Sequence, residues 1–82
     1  MLPNRSPNTV AAHGEGIRIL WRRGPSIRIP YAAIEQALGV GRDRLSDRLA
    51  ERYVENHLDR LMDLAEERFR AGELSPIVLE KI

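Results

Sequence analysis

The chain has 82 residues, which suffices for one domain with a modest core. It contains no cysteine, which excludes disulfide bonds, zinc–thiolate sites and thiol nucleophiles. No apolar stretch approaches the roughly 20 residues of a membrane span, and the first residues lack a signal-peptide pattern. The net charge is +1, but residues 1–30 hold five arginines against one glutamate, whereas residues 31–82 hold eight basic and eleven acidic side chains. We expect one cytoplasmic domain over residues 1–82, without membrane contact and with a loose N-terminal arm at residues 1–8.

Strict alternation of apolar and polar residues predicts a β-hairpin in the segment GIRILWRRGPSIRIP. Ile17, Ile19 and Trp21 fall on one face of its first strand, and Arg18, Leu20 and Arg22 fall on the other. Gly24 and Pro25 supply the turn chemistry between the two strands. One face of the hairpin is therefore expected to be buried under a helix.

The register of the hairpin follows from its turn. If Trp21 lies opposite Ile27, then Ile19 lies opposite Ile29 on the same apolar face. A further short strand is predicted at Thr9 to Ala12, ahead of a glycine-containing turn. Together these segments predict a small antiparallel β-meander of two to three strands.

The second half of the chain predicts helices. Pro30 has the φ angle of a helix start, the segment YAAIEQAL has apolar residues on one face, and Gly39 is a suitable terminator. In the tail, Ser75 and Pro76 resemble a helix N-cap and first position, although the β-branched residues that follow leave a terminal strand open. The predicted fold class is α+β, a small antiparallel meander packed against one short helix and one long helix that is either continuous or broken.

The long segment from Asp43 to Arg70 repeats an acidic residue every four positions, whereas an α-helix turns every 3.6 residues. Its apolar side therefore rotates around the helix axis along the segment. In a continuous helix, Leu45, Leu49 and Tyr53 would point almost opposite to later residues such as Leu61. Either the helix breaks near its middle, or a continuous helix of about 43 Å overhangs its own domain. In the second case the three early residues form a self-association surface, and a homodimer is the predicted assembly.

The residues that could carry chemistry favour structural roles. His57 lies in the apolar row of the long segment and is expected to be a partly buried packing residue, whereas His13 belongs to a turn. The acidic row is interleaved with arginines, so surface ion pairs such as Arg44 with Asp47 explain it better than a metal site does. No serine has the context of a nucleophile. We predict that the protein is not an enzyme and uses no metal and no cofactor.

The strongest functional feature is a group of arginines on the hairpin. Arg18, Arg22 and Arg28 share one strand face, and Arg23 lies at the turn. Such a face can contact an anion or a nucleic acid, because β-ribbons enter nucleic-acid grooves with arginines on phosphates and base edges. Exposed arginines also protect a sheet from aggregation, and the small net charge argues against a dedicated nucleic-acid protein.

The succession of LPNRS, the hairpin IRILW and IRIPYAAIEQALGV, the helix end LMDLAEERFRAGEL and the tail PIVLEKI resembles a family of small uncharacterised bacterial proteins, known as a domain of unknown function. The resemblance implies an antiparallel sheet with helices and transfers no catalytic residue. Its matching positions are hydrophobic spacings: Ile17, Ile19, Ile27, Ile29, Ala37, Leu38, Leu61, Ala65, Phe69 and Gly72. The resulting functional prediction is a small non-enzymatic bacterial protein that self-associates and binds another macromolecule. A protein partner is preferred, and nucleic-acid binding through the arginine face of the hairpin is the alternative.

Overall fold

The fold is known from a computed structural model, which describes residues 9–20 and 25–82. Within these residues, four strands and three α-helices form an α+β structure with a mixed sheet, which confirms the predicted fold class. In chain order the elements are β1 (Thr9–Ala12), β2 (Gly16–Leu20), β3 (Ile27–Pro30), α1 (Tyr31–Leu38), a 3-10 turn (Arg42–Arg44), α2 (Asp47–Asn56), α3 (Leu58–Arg70) and β4 (Ile77–Val78).

The first three strands form the predicted antiparallel meander, but the hairpin register differs from the prediction. Ile19 pairs with Ile27, and Ile17 pairs with Ile29, so the predicted pairing of Ile19 with Ile29 is wrong. Among the described residues of the hairpin, every pair is shifted by two residues from the predicted pairing. Because two is the period of a strand, the same side chains remain on the buried face. The other half of the predicted register involves Trp21, which is outside the described residues.

The tail forms a strand and not a helical turn. β4 lies parallel to β3 and completes the sheet order β1-β2-β3-β4. The Ile77 N–H donates to Ser26 O, and the Leu79 N–H donates to Arg28 O, both at 2.9 Å. β-branched residues at this position favour the extended conformation, and Ile77 fills the space beside Ile27 in the core.

Two helices occupy the long charged segment, which decides between the two alternatives that the sequence left open. The helical conformation is interrupted at His57, which lies between α2 and α3. The backbone N–H of His57 is shared between Tyr53 O and Val54 O. The first of the two helices begins at Asp47 and not at residue 43, because the Ser46 side chain accepts the N–H of Leu49 as an N-cap. The predicted terminator Gly39 adopts a positive φ angle of 69°, and Gly72, which follows the end of α3, adopts a φ angle of 97°.

The break allows both halves of the segment to bury their apolar sides in one core. Ala50 and Val54 of α2 and Leu61 and Met62 of α3 are all fully buried. They lie in one cluster with the apolar residues on one face of the sheet, which we call the inner face. The described structure is compact, with principal extents of 35 × 22 × 20 Å. No helix within the described ranges has the length and apolar character needed to cross a membrane.

Candidate functional site

The sheet has a second face, the outer face, that none of the described helices covers. The buried isoleucines of β2, β3 and β4 all point to the inner face, where the helices contact the strands. Alternation along each strand places the intervening residues on the opposite side. The outer face consists of Thr9, Ala11, Arg18, Leu20, Arg28, Pro30 and Val78, of which Thr9 and Arg18 are exposed and the others are half-buried.

Two arginines lie directly opposite each other at the centre of this face. Arg18 of β2 pairs with Arg28 of β3. The Tyr31 N–H donates to Glu15 O, and alternation along the ladder from that bond makes the two arginines a non-hydrogen-bonded pair, in which opposing side chains are closest. Like charges in this arrangement are unfavourable. Within the described residues, no carboxylate pairs with either guanidinium.

The guanidinium of Arg28 is held in place by the turn between β1 and β2. Its Nη1 donates to His13 O at 3.0 Å. The group lies against Gly14 and Gly16, where a Cβ on Gly16 would sit 3.2 Å from Arg28 Cζ. A guanidinium has five N–H donors, so this bond leaves most of them available. Arg28 therefore has a fixed orientation next to the exposed side chain of Arg18.

The four predicted anion-binding arginines have different outcomes. The structure brings Arg18 and Arg28 together on the outer face, as the alternation predicted, and makes them direct neighbours, which the predicted register did not. Arg22 and Arg23 lie outside the described residues. The described part of the candidate site is thus an arginine pair surrounded by half-buried apolar side chains.

The predicted self-association surface is not an open surface in this structure. Leu45 is 2% exposed and Tyr53 is 9% exposed, and both belong to the core, whereas Leu49 is 39% exposed. The physical reason is that the helix is interrupted at His57, so Leu45 and Tyr53 pack in the same hydrophobic cluster as the apolar residues of α3 and of the sheet. The overhang that motivated a dimer is absent from the described residues, and the oligomeric state stays a prediction.

Both histidines have structural contacts. The ring of His57 stacks on Tyr53 at 4.3 Å between centroids, and its Nδ1 lies 2.9 Å from Tyr53 O. His57 is exposed, so the prediction that it is partly buried is wrong, because the helix break turns it out of the core. His13 lies in the predicted turn, where its N–H donates to Gly16 O. In the described part of the chain, no three histidine or carboxylate side chains gather as metal ligands would.

Sequence reasoning missed a polar network around Tyr31. This residue is 1% exposed, and its hydroxyl donates a short hydrogen bond to Asp47 Oδ1 at the start of α2. Arg42 covers the ring at 4.6 Å and donates to Glu15 at 3.0 Å and to Leu45 O at 2.7 Å. Burial first, and then the hydrogen bond and the charge of Asp47, raise the pKa of Tyr31 to about 12. Asp47 therefore bonds to Tyr31 and not to Arg44, the ion-pair partner that the sequence predicted.

Comparisons with family models, with curated proteins and with solved structures give no match to this chain. The resemblance to a small bacterial family of unknown function therefore stays a prediction, and the functional argument depends on the geometry of the outer face.

Proposed function

We propose that this protein is a non-enzymatic binding module that recognises an acidic surface on a protein partner through the outer face of its sheet. The observation that supports the proposal is the direct cross-strand pairing of Arg18 with Arg28 on a face that no described helix covers. Local electrostatics disfavours this pairing in the free protein. A sequence that keeps such a conflict commonly does so where it has a function.

An anionic group between the two arginines removes the repulsion. A carboxylate accepts two parallel N–H bonds from one guanidinium, and such charge-assisted bonds are roughly twice as strong as neutral ones. Arg28 already has its orientation fixed by His13 O and by the glycines of the turn, so less side-chain freedom is lost when it binds a partner. Arg18 contributes an exposed second contact beside it.

The surroundings of the pair favour a protein partner over a nucleic acid. Half-buried Ala11, Leu20, Pro30 and Val78 flank the arginines and give the face an apolar contact area. Arginine within an apolar patch is typical of protein–protein interfaces. The described part of this face has no aromatic side chain on which a base could stack, and the net charge is +1.

The proposal is tested by binding to poly-L-glutamate and to mixed-sequence duplex DNA, each measured by biolayer interferometry at low and physiological salt. The variant Arg18→Glu reverses one charge of the pair, and Arg44→Glu reverses an exposed arginine elsewhere as a matched control. Charged hydrogen bonds contribute about 1.5–3 kcal/mol, so we expect Arg18→Glu to weaken poly-L-glutamate binding by roughly tenfold or more and Arg44→Glu to leave it nearly unchanged.

Two outcomes of this assay would count against the proposal. Binding to DNA that is much tighter than binding to poly-L-glutamate would show that the same arginines recognise a nucleic acid and not an acidic protein surface. Equal losses in both variants would show that only the general charge of the protein matters, and the outer face would then have no specific role.

A further inference from the structure

The free edge of β1 has backbone groups that point away from the sheet. β1 is the first strand in the sheet order, and among the described strands it pairs only with β2. The His13 N–H donates to Gly16 O, and alternation from this bond makes Ala11 with Arg18 the next hydrogen-bonded pair. The N–H and C=O groups of Val10 and Ala12 consequently face outward, away from β2.

The two edges of the sheet differ in their protection. At the opposite edge, β4 has only two residues, and its outward Val78 C=O accepts a bond of 2.7 Å from Arg68 Nη1. At the β1 edge, the sequence TVAA has no charge and no proline, the features with which natural edge strands prevent pairing. The Ala12 N–H donates to Glu51 Oε2 at 3.0 Å, so a side chain of α2 occupies one of the outward groups.

The exposed side of α2 is complementary in charge to a second copy of itself. Arg48, Glu51, Arg52 and Glu55 line one shallow groove on this helix, in the order basic, acidic, basic, acidic. Arg48, Arg52 and Glu55 form no ion pair with any other described residue. When two such helices run antiparallel about a twofold axis, Arg48 of each faces Glu55 of the other, and Glu51 faces Arg52.

We propose that two copies of this chain associate through β1, antiparallel about a twofold axis at Ala11, to form one continuous eight-stranded sheet. Val10 and Ala12 of each copy then exchange four backbone hydrogen bonds, and Glu51 turns from Ala12 towards the partner's α2. The contact of Glu51 with Ala12 places the centre of α2 next to this axis, so strand pairing and helix pairing have the same symmetry. The proposal does not depend on the proposed function of the outer face.

The test is a charge-reversal cycle measured by sedimentation equilibrium of the full chain at concentrations up to about 1 mM, the range for a small interface. Arg48→Glu and Glu55→Arg each place like charges across the axis twice, so each single variant is expected to weaken the dimer at least fivefold. The double variant restores opposite charges and is expected to recover most of the wild-type affinity. Circular dichroism on each variant separates a loss of association from a loss of folding.

A second pair of variants examines the strand. Ala11→Lys brings two ammonium groups together at the axis without removing a backbone donor, and Ala32→Lys adds the same charge at an exposed position of α1. We expect the first variant to be monomeric and the second to dimerise like the wild type. A wild-type chain that stays monomeric at the highest concentration, or a dimer that Ala11→Lys and the single reversals leave unchanged, would overturn the proposal.

Discussion

Replacing Gly16 by alanine tests how tightly β2, β3 and the side chain of Arg28 pack at the outer face. A Cβ at this position would lie 2.9 Å from the backbone oxygen of Ile29 and 3.2 Å from Arg28 Cζ, whereas ordinary contacts are 3.4–4 Å. The guanidinium can move away, but the carbonyl oxygen belongs to the paired strand and cannot move alone. The replacement therefore strains the end of the β2–β3 ladder, where Gly16 pairs with Pro30.

The matched control is Gly41→Ala. Neither glycine has a positive φ, and a Cβ on Gly41 would meet only the flexible carboxylate of Asp43 at 2.8 Å. Both replacements reduce the freedom of the unfolded chain, which stabilises each variant by about 0.4–1 kcal/mol. This gain cancels when the two variants are compared, so their difference reports the clash at Gly16. Overpacking of this kind costs about 1–3 kcal/mol.

The comparison is made by urea and thermal unfolding followed by circular dichroism. We expect Gly16→Ala to be less stable than Gly41→Ala by about 1–3 kcal/mol, with a midpoint lower by about 4–8 °C for each kcal/mol. Equal stabilities of the two variants would refute the close approach of β2 to β3 at this position. The fixed orientation of Arg28 would then lose its structural basis.

Two further predictions concern α2 and the Tyr31 network. Ser46→Ala removes the acceptor for the Leu49 N–H, so the free energy of unfolding measured in urea titrations should fall by about 1 kcal/mol. Ser46→Asp keeps an N-cap acceptor and should retain most of the wild-type stability. Because the pKa of Tyr31 is raised to about 12 in the folded state, above the ordinary value near 10, its contribution is present below pH 10 and is lost between pH 10 and 12. Tyr31→Phe should therefore lose less stability than the wild type over that interval, and identical pH dependence of the two proteins would contradict the assignment.

The sequence predicts the faces of the sheet more reliably than its register. Alternation assigns Ile17 and Ile19 to the core and Arg18 to the opposite side, and this assignment survives the two-residue shift in pairing. The shift depends on the geometry of the turn, which no periodicity specifies. The contact between Arg18 and Arg28 could therefore be predicted as a shared face but not as a direct pair.

The helical half shows the limit of local patterns. The four-residue repeat is compatible with a continuous helix and with a broken one, and the difference decides whether Leu45 and Tyr53 are buried in their own chain. Whether the helix is continuous or broken depends on tertiary packing, because the apolar side of each half must be buried in the core. The bond between Tyr31 and Asp47 joins residues 16 positions apart in different helices, so neither residue shows a signal in its own segment.

The central claim is that Arg18 and Arg28 bind an anionic partner together. The most direct measurement is a titration of the isotope-labelled protein with poly-L-glutamate, in which NMR resolves the arginine Nε–H signals and the backbone amides. We expect the signals of Arg18 and Arg28 and the amides of β2 and β3 to shift together and saturate, while the signal of Arg44 changes little. Shifts spread evenly over the exposed arginines, or none on the outer face, would contradict it.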